Sequence, residues 1–96
     1  MKKLKYTIKP TARFKKDLRK AAKQGRDTEE LQSVIDTIAK GKVLEEKYRD
    51  HGLSGDFQGC RECHINPDWL LVYELDEKVL YLYLIRTGTH SELFGK

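Results

Sequence analysis

The sequence predicts an α+β fold of order β-α-α-β-β-β, a small and mostly antiparallel sheet with a helix hairpin packed on one face. Three observations carry this. Two amphipathic helical patterns follow one short alternating segment, three apolar strand-like runs fill the second half, and short polar turns separate those runs. Lys5 to Lys9 alternates as a short first strand does. Pro10 and Thr11 open the first helix, Pro suiting a first turn and Thr a cap. Phe14, Leu18, Ala21 and Ala22 recur at helical spacing, so one face is expected to be buried while the other displays lysines and arginines. Gly25 ends this helix. Asp27-Thr28-Glu29-Glu30 reads as a capping box, and Leu31, Val34, Ile35 and Ile38 follow at i, i+3, i+4 and i+7 until Gly41 stops the second helix.

Residues 42–55 are charged and loop-like, ending in His51-Gly52-Leu53-Ser54-Gly55. Strands are predicted over residues 56–65, 69–75 and 79–86. Asn66-Pro67-Asp68 and Asp76-Glu77-Lys78 are too short for anything but hairpin connections, so these strands form an antiparallel meander. Val79 to Ile85 is apolar at every position, as a central strand covered on both faces would be.

Composition sets the bounds. Ninety-six residues make a single domain, 1–96, of a size that buries roughly 60–65% of its unfolded surface. No apolar run approaches the roughly 18 residues that span a bilayer, and the basic N-terminus lacks the apolar middle of a signal peptide, so no membrane role and a cytoplasmic location are expected. The net charge of +4 hides an asymmetry. Residues 1–25 carry ten Lys or Arg against Asp17 alone, a balance of +9, while residues 26–96 carry nine bases and fourteen acids, a balance of −5. A cationic end of this kind suits a polyanion, nucleic acid first among them. Its first-helix members are Lys15, Lys16, Arg19, Lys20 and Lys23.

Cys60-Arg61-Glu62-Cys63-His64 matches the C-x-x-C-H pattern of covalent haem attachment. Its setting argues against that chemistry. The segment lies in a predicted strand, where side chains alternate, so Cys60 and Cys63 point to opposite sides. The same geometry weakens a shared zinc site, and the one Met is Met1. Burial as small apolar residues is the expected fate of both cysteines, and neither metal nor cofactor is expected.

A different constellation carries chemistry. His64 ends one strand and Asp68 begins the next, the following strand returns to the same end at Arg86, and His90 follows with Gly88 allowing a sharp bend. His51 enters from the glycine-flanked loop ahead of the sheet. Topology is therefore expected to gather His51, His64, Asp68, Arg86 and His90 at one rim. These groups suit RNA strand cleavage by the 2′-hydroxyl, which needs a base, an acid and positive charge near the phosphorane. An arginine offers bidentate phosphate contacts. An aromatic ring can stack on an unpaired base, for which Trp69 and Phe94 are candidates, although Trp69 also reads as core and Phe94 as a hydrophobic latch.

Three blocks, Tyr48-Arg49-Asp50-His51-Gly52-Leu53-Ser54-Gly55, Arg61 to Tyr73 with its His-x-x-x-Asp-Trp core, and Arg86-Thr87-Gly88-Thr89-His90 running on to Phe94, resemble the bacterial YafQ-type toxins of the RelE superfamily. Phe14-Lys15-Lys16-Asp17-Leu18 is similar to that family's first helix, so the resemblance spans essentially the whole chain. It implies a RelE-like fold and a ribosome-dependent endoribonuclease, the toxin of a type II toxin–antitoxin module, that cuts mRNA without a metal. It implies His51, His64, Asp68 and His90 as the catalytic set, with His90 as proton donor and either Asp68 or His64 as base. Arg86 would stabilise the phosphorane, Phe94 would help position mRNA, and the basic helix would dock on ribosomal RNA. A cognate antitoxin would inhibit the chain, and promoter DNA would be met only through that antitoxin. The competing reading is a non-catalytic RNA- or partner-binding module with a basic docking helix.

Overall fold

The computed structural model describes residues 4–95. The chain runs through β1 (Thr7–Pro10), α1 (Ala12–Lys23), α2 (Thr28–Ala39), β2 (His51–Gly52), β3 (Arg61–Asn66), β4 (Trp69–Asp76), β5 (Tyr81–Gly88) and α3 (His90–Phe94), with 3-10 turns at Glu46–Tyr48 and Gly55–Phe57. The sheet order is β1-β5-β4-β3-β2. β1 lies parallel to β5 and every other pairing is antiparallel, so the predicted meander holds and the N-terminal strand closes one edge. Pro10, which has no N–H to donate, ends that edge strand rather than opening the helix. Thr11 is the cap, its hydroxyl accepting from the Phe14 N–H at 3.0 Å and donating to the Ile85 carbonyl at 3.0 Å.

One face of the sheet carries Cys63, Ile65, Trp69, Leu71, Tyr73, Leu82 and Leu84, packed with Phe14 and Ala21 of α1 and with Leu31, Val34, Ile35, Ile38 and Ala39 of α2. Ala22 is exposed, one position beyond the buried stripe. Asp27 caps α2 through the Glu30 N–H at 3.0 Å. The Glu30 carboxylate does not close the predicted box, because it accepts instead from the Tyr48 hydroxyl at 2.6 Å and ties the first 3-10 turn to α2. The opposite face carries Leu70, Val72 and Leu93, with Leu53, Phe57, Cys60, Ile85 and Phe94 against them.

Two strand starts and the C-terminal segment differ from expectation, each for a local reason. Residues 55–57 form a 3-10 turn, and Gly59, with φ at +92°, redirects the chain so that β3 starts at Arg61. Asp76 accepts from the N–H groups of Lys78 and Val79 at 3.0 and 3.3 Å, which extends the turn and leaves Val79 and Leu80 exposed outside β5. The C-terminal segment is a helix that the sequence pattern did not predict. Thr89 accepts from the Glu92 N–H at 3.1 Å, and Glu92 accepts from the Thr89 N–H at 2.8 Å, a complete capping box. Gly88 serves close packing rather than a bend, since a Cβ there would meet Glu92 Oε1 at 3.0 Å and Leu93 Cδ2 at 3.2 Å.

Candidate active site

The face of the sheet without the helix hairpin holds an open cleft of about 600 Å³. His51, Glu62, His64, His90 and Phe94 line it, with Leu53, Phe57 and Leu93 as its apolar floor. The strand register builds one wall. His51 of β2 sits directly opposite Glu62 of β3, and His64 follows Glu62 by two residues on the same side of the pleat. The Glu62 side chain is 4% exposed and lies between two imidazoles, with His64 Nε2 3.6 Å from Oε1 and His51 Nε2 3.9 Å from Oε2. The rings of His51 and His64 are 6.4 Å apart.

His51 has a defined tautomer. Its Nδ1 lies 2.8 Å from the Arg49 carbonyl, which can only accept, so Nδ1 carries the hydrogen and Nε2 is the nitrogen left to exchange a proton in the cleft. The loop bearing it is pinned from below. Asp50 Oδ1 accepts from the buried Tyr73 hydroxyl at 2.6 Å and from Arg61 Nε at 3.3 Å. Burial, and then that hydrogen bond to Asp50, pushes the Tyr73 phenol well above its ordinary range.

α3 supplies the other wall. His90 opens it, exposed to solvent, and its ring lies 4.9 Å from that of Phe94 one turn later. Phe94 packs edge-on against Phe57 at 5.3 Å, which seats the helix over the apolar floor. Lys20 of α1 pairs with Glu92, holding its carboxyl down at about 2 with help from the Thr89 N–H. One of the lysines expected to dock RNA is thus also an anchor for the helix that presents His90. Lys15, Lys16, Arg19 and Lys23 lie along the same helix, with Lys15, Lys16 and Arg19 on its open side.

The structure therefore gathers His51, His64, His90 and Phe94, and three of the expected residues, Asp68, Trp69 and Arg86, lie outside this cleft. Asp68 sits in the exposed β3–β4 turn, its N–H bonded to Asn66 Oδ1 at 2.9 Å, and it does not line the cleft. Arg86 is turned toward α1, where Asp17 takes it bidentately at 2.9 and 3.0 Å. A register slip accompanies this. Val72 faces Arg86 while Tyr73 faces Leu84, so Ile85 is an extra residue, and a bulge of this kind re-aims the side chains around it. Trp69 is wholly buried among the hairpin-side core and offers no face to a base. Arg26 lies over its ring at 5.7 Å.

Glu62 was not among the expected site residues, although a period of two already placed it beside His64. As predicted, Cys60 and Cys63 fall in opposite clusters, and burial pushes the Cys63 thiol up to about 12, far from thiolate chemistry. Among the described residues no three His, Cys, Asp or Glu side chains are arranged to hold a metal ion, and none of the helices is long and apolar enough to cross a membrane.

The chain matches the family model described as the bacterial toxin of type II toxin–antitoxin system, YafQ, over residues 6–95. It is 36% identical over 89 residues to the mRNA interferase toxin YafQ of Escherichia coli (strain K12), covering 92% of this chain and 95% of that one. The E. coli DinJ–YafQ toxin–antitoxin complex superposes with a TM-score of 0.87 at 33% identity, covering 96% of this chain and 100% of that one. A metal-bound toxin from Helicobacter pylori superposes with a TM-score of 0.88 at 43% identity, covering 93% and 99%. Sequence and backbone agree over nearly the full length, and the chain belongs to the YafQ family of bacterial toxins from type II toxin–antitoxin systems.

Proposed function

We propose that this toxin is an endoribonuclease that cuts mRNA, the activity named for its E. coli relative, by acid–base chemistry in the three-histidine cleft. One observation carries the reading. Imidazoles from three separate segments, at 51, 64 and 90, converge on one open site with a buried carboxylate between two of them. In this scheme His64, oriented by Glu62, takes the 2′-hydroxyl proton. The 2′-oxygen then bonds to phosphorus, and the P–O5′ bond breaks as His90 protonates the leaving oxygen. The products are a 2′,3′-cyclic phosphate and a 5′-hydroxyl end. Geometry favours His64 over Asp68 as base because only His64 lines the cleft. Arg86 is assigned to holding the strand exit that leads to His90. No step is routed through a metal.

The exposed basic face of α1 supports docking on ribosomal RNA, and with it action on ribosomes in the cytoplasm. The DinJ–YafQ complex supports a cognate antitoxin as the inhibitory partner, with promoter DNA reached only through that antitoxin. The test is to map mRNA ends after induction of wild type and His90→Ala, with both proteins also assayed on purified programmed ribosomes. Cleavage by wild type that is lost in His90→Ala is expected. Identical ends from both proteins remove His90 from the reaction and leave the non-catalytic binding module as the better reading.

A further inference from the structure

Arg86 is fully engaged by Asp17, so the cleft needs another source of positive charge for an RNA chain. A second cavity of about 400 Å³ is lined by Lys47, Arg49, His64, Asn66 and Pro67. His64 lines both cavities, so a strand crossing the catalytic cleft meets this one next. No carboxylate lines it. Asp50, the acid adjoining Arg49, is occupied by Tyr73 and Arg61.

The two cations are unlike those bordering the catalytic cleft. Arg61 pairs with Asp50, Lys20 with Glu92, and Arg86 with Asp17, whereas among the described residues Lys47 and Arg49 have no acidic partner. Lys47 rests on the Tyr48 ring, 5.1 Å from its centroid. Arg49 adopts a left-handed backbone (φ 50°, ψ 45°), which is strained for a non-glycine residue. Glycine or asparagine would sit there more easily, and neither would bring a guanidinium.

We infer that Lys47 and Arg49 form a subsite for an RNA backbone phosphate neighbouring the bond to be cut. This rests on the endoribonuclease reading above. The subsite grips phosphate and reads no base edge, so it adds affinity without adding sequence preference.

The test uses the intact toxin with Lys47→Gln, Arg49→Gln and the double variant. Arg49→Lys keeps charge and backbone strain, and Arg49→Gly discards both. One arm measures binding of a short single-stranded RNA, made uncleavable by 2′-O-methylation, as a function of salt. The salt slope is expected to fall by about 0.7 for each phosphate-binding cation removed, hence about twice that in the double variant. Arg49→Lys retains the wild-type slope and Arg49→Gly does not. The second arm measures mRNA cleavage on programmed ribosomes, where the double variant raises KM roughly tenfold while kcat moves much less, at unchanged cleavage positions. A double variant with wild-type slope and KM overturns the subsite. So does a loss of ribosome association with oligonucleotide binding intact, which assigns the cations to ribosomal RNA. Weakened binding of an acidic antitoxin segment with RNA binding intact overturns it in favour of a protein contact. Wild-type toxin that binds the RNA but never cleaves mRNA overturns the parent reading instead, and the salt slopes still decide whether the phosphate subsite exists.

Discussion

The Tyr73 hydroxyl donates to the Asp50 carboxylate across 2.6 Å, joining the buried face of the sheet to the loop that carries a cleft histidine. Asp50 precedes His51, and the Arg49 carbonyl before it accepts from His51 Nδ1 at 2.8 Å, so one clamp sets both the place and the tautomer of the imidazole. Tyr73→Phe keeps the ring and removes the donor. It should lower stability by about 1 kcal/mol and cut cleavage roughly threefold to tenfold, since misplacing a group by a fraction of an ångström is costly. Thermal melting and single-turnover rates check this. The His51 tautomer, read from ring ¹⁵N shifts, should lose its Nδ1–H preference in the variant. An unaltered tautomer and rate would leave the clamp a purely structural contact.

Glu62→Gln preserves shape and removes the charge between His51 and His64. Cleavage should fall tenfold or more, on the scale of losing correctly oriented acid–base groups, with little change in melting because the amide still fills the site. Single-turnover rates on programmed ribosomes, with melting curves as control, check this. Full activity would strip Glu62 of its orienting role.

Trp69→Phe separates packing from stacking. The indole is buried, and among the described residues its N–H has no hydrogen-bond partner, so phenylalanine loses volume while relieving one unsatisfied donor. A stability loss on the order of 1–2 kcal/mol, with KM for mRNA unchanged, is expected from denaturant titration and kinetics. A raised KM at unchanged stability would restore Trp69 to the substrate.

Acid should loosen α3 through Glu92. Its carboxyl falls from the ordinary 4.5 to about 2, chiefly through Lys20, so it stabilises the fold above about 4.5 and that contribution drains away as pH falls toward 2. Melting temperature across this window should drop more steeply for wild type than for Glu92→Gln. Parallel curves would contradict the Lys20–Glu92 anchor.

Local signals made the helix hairpin and meander legible. The spacing of Leu31, Val34, Ile35 and Ile38 and the caps at Thr11 and Asp27 act within one turn of chain. The three histidines were likewise visible, because strand ends and short turns constrain where they meet. Arg86 was not, because its partner Asp17 lies 69 residues away and a bulge at Ile85 alters the register. Asp68 was placed near the right end of the sheet, but a turn residue bonded to Asn66 faces solvent rather than the cleft. α3 has five residues, too few to show a period, though Thr89 and Glu92 stood at capping-box spacing. Glu62 escaped notice inside a pattern read for its cysteines.

The division of labour between His90 and His64 can be measured directly with an mRNA whose scissile 5′-oxygen is replaced by sulfur, a leaving group that needs no proton. His90→Ala should be far slower than wild type on the ordinary substrate and near wild type on the sulfur one, while His64→Ala stays slow on both. Equal impairment of His90→Ala on the two substrates would contradict proton donation from His90, and with it the acid–base account of the cleft.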